Sequence, residues 1–129
     1  MPAKKKHWNH RFDFKPLSAN KMFYKGKQLT KEYRDWREFI YEDIADRSKW
    51  PFKEDDRLFF DVYIGLSSKL ADVDNCIKPL LDTFQYMFEF NDKYVFEVHI
   101  EKELVKKGEE YFDVTVKEYK ENKWKHYLR

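Results

Sequence analysis

Polar and apolar residues alternate most cleanly in RLFFDVYIG (57–65), with Leu58, Phe60, Val62 and Ile64 on one face. That period of two predicts a half-buried strand. YVFEVHIEKE (94–103) and EYFDVTVKEY (110–119) alternate as well, and the loop through Lys107 and Gly108 predicts that they pair as a hairpin. RFDFKP (11–16) alternates briefly and ends at a proline, which predicts a short first strand, while residues 18–28 read as a loop. Helical spacing appears twice. Tyr33, Trp36, Phe39, Ile40 and Ile44 predict a helix over about 30–47, with Thr30 as its N-cap, Glu32 in the first turn and Trp50-Pro51 as its stop. Its aromatics Tyr33, Trp36 and Phe39 read as core. Val73, Ile77, Leu80, Leu81, Phe84, Met87 and Phe88 predict a second helix, starting near Asn75 so that Pro79 falls in its first turns. EFNDK (89–93) then reads as a turn.

The order strand, helix, strand, helix, strand, strand predicts an α/β fold of the α+β kind, a mixed sheet with two main helices packed on it. With 129 residues the chain is expected to form a single domain over 1–129, with a flexible basic segment at about 1–10. His7, Trp8 and His10 fall in that expected tail, and His99 alternates outward as a surface residue. Aromatic residues make up 19% of the chain, too many for a disordered one. One cysteine, Cys76, precludes an internal disulfide and suggests a reducing, cytoplasmic setting, and a small buried apolar role suits it. No apolar run reaches the roughly 18 to 20 residues of a membrane span, and the basic start leads into no signal-peptide core.

Net charge is +2, yet residues 1–28 carry eight Lys/Arg against one acid, so the surplus sits at one end and the middle of the chain is acidic. Such a distribution suits either a polyanion binder with a central cation site or a plainly solvated surface. Residues 72–82, DVDNCIKPLLD, concentrate the acids. Asp72 and Asp74 can be read as a cap and a dipole partner for the second helix. They can equally be read, with Asp92 returning from the next loop, as three carboxylates converging on a hard divalent cation. Lys78 lies four residues after Asp74 and four before Asp82. The step fits a simple i,i+4 ion pair, and it also fits a cation beside a metal that stabilises charge on a phosphate, with Asp82 orienting it.

The string DVDNCIKPLLD followed by NDKYV resembles the signature of the RusA family of Holliday junction resolvases: D-x-D-N, then a lysine, an aspartate after a short apolar step, and later D-D-x-x-V. Asp72, Asp74, Asn75, Lys78, Asp82, Asp92 and Val95 fall on it in order, with Asn91 where the first aspartate of D-D often stands. PLSANKMFY resembles that family's early P-x-S-x-N segment through Pro16, Ser18, Asn20 and Tyr24, and LTKEYRDWRE resembles its first helix. The resemblance spans about residues 16–103. It implies a homodimeric, Mg²⁺-dependent endodeoxyribonuclease of bacterial or phage origin, with Mn²⁺ as a substitute metal, that resolves four-way DNA junctions near the nucleoid. It implies Asp72, Asp74 and Asp92 as the metal-binding catalytic carboxylates and Lys78 as a catalytic lysine; Asn75 and Asp82 are the residues expected to steady them. Lys4, Lys5, Lys6, Arg11, Lys15, Asn20, Lys25, Lys27 and Lys69 are the expected DNA contacts. The competing reading is a non-catalytic DNA- or partner-binding protein on the same fold. No membrane and no organic cofactor enter either reading.

Overall fold

A computed structural model of the chain describes residues 6–26 and 28–121. The chain opens with a strand, β1 (His7–Phe12), in which Trp8 and Phe12 are buried. The strand therefore starts four residues before the expected 11–16, and residues 7–10 are not a flexible tail. The charge run Lys4–Lys6 and the polar Asn9 and His10 hide an alternation whose inward positions are Trp8 and Phe12. Residues 1–5 lie outside the described residues. A 3-10 turn (Ala19–Lys21) and a minimal ribbon of β2 (Phe23–Tyr24) and β3 (Gln28–Leu29) occupy the expected loop.

Helix α1 (Lys31–Asp43) starts where its cap predicts: the Thr30 hydroxyl accepts the Tyr33 N–H at 3.0 Å. It stops about a turn short of residue 47, and the chain continues through a 3-10 turn at Arg47–Lys49 capped by Asp46. Tyr33, Trp36 and Ile40 are buried, but Phe39 is 54% exposed, so it is not core. Strand β4 (Leu58–Leu66) follows, then a 3-10 turn (Asp74–Cys76) running into α2 (Ile77–Phe88). Pro79 is the third residue of α2, where its N–H would have had no intrahelical partner, so it costs no hydrogen bond.

Strand β5 (Val95–Leu104) pairs parallel with β4, Leu58 opposite Val95 and Leu66 opposite Leu104. Strand β6 (Tyr111–Glu118) pairs antiparallel with both β4 and β1, giving a mixed four-stranded sheet ordered β1-β6-β4-β5. The expected hairpin of 94–103 with 110–119 is therefore wrong: β5 and β6 flank β4 on opposite sides. A helix between two adjacent strands makes them parallel, and that connection claims one edge of β4 for β5. Phe112, Val114 and Val116 of β6 are at most 1% exposed, a burial that an interior position supplies.

Both helices lie on one face of the sheet, so the fold is a two-layer α+β arrangement. Phe84 of α2 is fully buried and contacts the rings of Trp8, Phe12, Trp50, Phe60 and Phe88. The opposite face carries polar residues. There Tyr111 lies over Gly65 and donates from Oη to Glu103 at 2.6 Å, while the Arg11 guanidinium sits 4.0 Å from its ring centroid. One tyrosine thus ties all four strands. A Cβ at Gly65 would collide with that ring and come within 3.2 Å of Val105. On the same face His99 Nδ1 lies 2.7 Å from Asp61 and Nε2 lies 3.2 Å from Glu101.

Two outcomes are expected. Gly65→Ala lowers stability in urea unfolding by about 1–3 kcal/mol, the cost of overpacking, and Tyr111→Ala returns part of that loss in the double variant. The hydrogen bond to Asp61, with the nearby charges of Asp61 and Glu101, raises the His99 pKa above its ordinary 6.5. A raised imidazolium pKa stabilises the fold fully below pH 6.5, and the contribution is lost as pH climbs through the folded value. His99→Gln should therefore flatten the pH dependence of stability above 6.5, and NMR titration of the ring should show the raised midpoint in the parent chain.

Candidate functional site

Strand β4 delivers the chain to the end of the sheet at Leu66, and the loop 67–73 carries it back to α2. That loop is held through its own backbone. Lys102 on β5 donates from Nζ to the carbonyls of Lys69 at 3.1 Å and Ala71 at 2.8 Å, and the Ser68 hydroxyl accepts the Leu70 N–H at 3.2 Å. Val73 packs against the core and its carbonyl accepts the Cys76 N–H at 3.2 Å. The exposed side chains of Asp72 and Asp74 flank this anchor. Neither serves as a cap: the N-cap positions of the 3-10 turn and of α2 are Val73 and Cys76, without side-chain hydrogen bonds. Among the described residues neither carboxylate has a hydrogen bond or ion pair, so the capping interpretation of these acids does not describe them. Asp74 does sit in the first turn, where a negative charge meets the free N–H groups.

A cavity of about 560 Å³ opens beside Asp72. It is formed where two segments remote in sequence meet, Phe14–Lys21 and Leu70–Cys76, with Trp36 and Phe39 of α1 between them. The first segment is fastened at three points. The Trp36 indole N–H donates to the Lys15 carbonyl at 3.0 Å, the Ser18 hydroxyl accepts the Asn20 N–H at 3.3 Å, and Thr30 N–H donates to Met22 O at 3.0 Å. The 3-10 turn at Ala19–Lys21 then packs on the one at Asp74–Cys76. The P-x-S-x-N and D-x-D-N segments thus share one cavity, with Ser18, Asn20, Asp72 and Asn75 on its wall.

Asp92 is elsewhere. It opens the 3-10 turn that enters β5, and its N–H donates to Gln85 Oε1 at 3.0 Å. In a strand–helix–strand unit the chain leaves the first strand at one end of the sheet and enters the parallel second strand at the other. Asp74 and Asp92 are therefore separated by the 12 residues of α2, roughly 18 Å of helix. The expected convergence of Asp92 with Asp72 and Asp74 does not occur within one chain. Among the described residues no group of three or more His, Cys, Asp or Glu side chains is arranged to hold a metal ion. Asp72 and Asp74 remain a fitting donor pair for Mg²⁺, which is often bound by one or two carboxylates together with water and substrate phosphate.

Lys78 donates from Nζ to Asp82 at 3.2 Å, and both are partly solvated, so the pair contributes about 0.3–0.5 kcal/mol to the helix. The expected DNA contacts are spread over the surface. Lys6 is held 2.7 Å from Asp56 and Arg11 2.9 Å from Asp13. Lys15 and Asn20 line the cavity, Lys69 lies on the loop leading to Asp72, and Lys25 sits at the tip of the β2–β3 ribbon in a left-handed conformation (φ 51°). Lys4, Lys5 and Lys27 lie outside the described residues. Two cations near the site were not singled out from sequence: Lys102, a charge in phase with the inward Val98 and Ile100 and opposite Ile64, and Lys21, 3.6 Å from Glu32. No protein-family model matches the chain, and no curated protein matches it.

Burial pushes the Cys76 thiol up to about 11, with Asp74 adding to the rise and Lys15 and Lys102 opposing it. Cys76 is accordingly a buried wall of the cavity and not a nucleophile. Alkylation by iodoacetamide at pH 8 should be slow in the folded chain and rapid in denaturant. Asp74→Asn should shift the pH–rate profile of the folded chain downward without removing the protection by burial.

Proposed function

We propose that the chain is a Mg²⁺-dependent endodeoxyribonuclease for four-way DNA junctions, working as a two-fold pair in which each site draws on both copies. The observation that carries this reading is the shared cavity: two segments that resemble one nuclease family, far apart in sequence, meet beside two exposed carboxylates that nothing within the described chain engages. Asp72 and Asp74 would hold the metal, and Mn²⁺ would serve in its stead. Bound there, the ion supplies an activated water and neutralises phosphate oxygens. Lys15 and Lys69 orient the strand through its backbone, and Lys78 swings from Asp82 to the phosphate, a modest step because the exposed pair is weak.

The second copy answers the separation of Asp92. The outer edge of β5 has no neighbouring strand among the described residues, and Val98 and Leu104 are exposed along it. Such an edge is a template for another strand. Two β5 edges aligned antiparallel about a two-fold axis set the start of one strand beside the end of the other. Asp92 of one copy then approaches Asp72 and Asp74 of the other. Two equal sites suit the near two-fold symmetry of a junction, since paired nicks are what resolution requires. The second reading, a non-catalytic binder of branched DNA, is favoured only by the distance of Asp92 from the other acids in a single chain.

Subunit mixing tests the pair directly. Asp74→Asn and Asp92→Asn should each lower Mg²⁺-dependent cleavage of a labelled four-way junction by at least about 100-fold, more than the loss of a supporting residue. In a mixture of the two, heterodimers keep one site with both mutations and one intact site, so nicking of a single strand should return. No recovery on mixing would refute the shared site. Junction binding without cleavage by the parent chain, with Mg²⁺ or Mn²⁺, would establish the binder instead.

A further inference from the structure

We propose that the cavity beside Asp72 seats one unstacked nucleobase of the DNA strand whose phosphate meets Asp72 and Asp74. This rests on the nuclease reading above and adds to it a pocket that reads the base. At about 560 Å³ the cavity falls within the roughly 300–1,000 Å³ of sites that enclose small molecules. Its lining is mostly apolar. Phe39 is 54% exposed and Leu70 91% exposed, so two large apolar side chains of the lining are left in water. The Phe39 ring is braced edge-on against Phe14, 6.0 Å between centroids, and Phe14 is braced in turn on Phe112 at 5.2 Å. A supported aromatic ring with solvent access is what a base stacks on, and every base has a face to offer. Trp36 cannot play that part, because its indole lies against Phe112 and its N–H is spent on the Lys15 carbonyl.

The polar groups of the lining separate a base from an aliphatic occupant. Asn20 and Asn75 both line the cavity, and among the described residues neither side-chain amide has a hydrogen-bond partner. An amide offers a donor and an acceptor together, the combination that matches the edge of a base and that an aliphatic side chain would leave unmet. Lys15 lines the same cavity and offers positive charge to a flanking phosphate, while Lys21 there is paired with Glu32 at 3.6 Å. Branched DNA supplies the occupant at reduced cost, since a base at a strand exchange has already lost part of its stacking.

The test uses the full chain in EDTA, so that it reads the pocket and not the metal. The protein is titrated with each deoxynucleoside 5′-monophosphate and, separately, with deoxyribose 5-phosphate, while NMR follows the Leu70 methyls and the Trp36 indole N–H. Nucleotides should move both signals and the sugar phosphate should not. Phe39→Ala should weaken nucleotide binding about tenfold, the scale of one lost stacking contact. Asn75→Ala should alter the preference among the four bases. Equal shifts with deoxyribose 5-phosphate, no shift with any nucleotide, or unchanged affinity in Phe39→Ala would each overturn the proposal. Nucleotide binding at this pocket without metal-dependent junction cleavage would leave the pocket standing and remove the nuclease. Cleavage without nucleotide binding would do the reverse.

Discussion

The passage of α2 from β4 to β5, pinned to the sheet by Phe84, is the constraint from which the rest of the molecule follows. Phe84 has no exposed surface and contacts rings from β1, β4, the segment after α1 and its own helix. A buried aromatic with that many ring neighbours contributes packing beyond its area alone. Because the crossover must return to the starting end of the sheet, it assigns Asp74 to one end of α2 and Asp92 to the other. It also sets the acidic loop at the carboxyl end of β4, where open sheets with parallel strands commonly form ligand crevices. The separation of Asp92 from Asp72 and Asp74 within one chain follows from this connection and not from any detail of side-chain conformation.

Much of the local structure was legible because it depends on neighbours in sequence. The alternation of Leu58, Phe60, Val62 and Ile64 reports a face, and Thr30 with Glu32 reports a helix start. The order of strands was not legible, since alternation says which side of a sheet a residue occupies and nothing about which strand lies beside it. Two alternating segments joined by Lys107-Gly108 look like a hairpin whether or not a third strand comes between them. Phe39 shows the same limit in a helix: it shares the apolar stripe with Trp36 and Ile40, but α1 is rotated so that it opens onto the cavity. The acidic residues were found by their spacing. Their separation was missed because spacing carries no information about the direction of β5.

The charges divide between two tasks. Lys6 closes on Asp56 and Glu118 and fastens the start of β1 to the end of β6 and to the segment before β4, and Lys102 holds the loop before Asp72 by its carbonyls. These cations shape the protein. The side chains of Asp72, Lys15 and Asn20 shape nothing comparable within the described chain and instead line an open space, with the exposed Asp74 close by in sequence. A basic count by itself cannot make that distinction, because a lysine engaged by an internal partner and one facing a cavity look alike in sequence.

The place of β6 has a consequence for how the molecule is made. The strand Tyr111–Glu118, made after every other described strand, lies between β1 and β4 and is the only described link in the sheet between them. Until it emerges from the ribosome, β1 has no partner among the other described strands, and Trp8 and Phe12 wait without the wall that encloses them. The β4–α2–β5 unit can assemble as soon as it is made, whereas β1 is a late arrival in the sheet that joins only once β6 does.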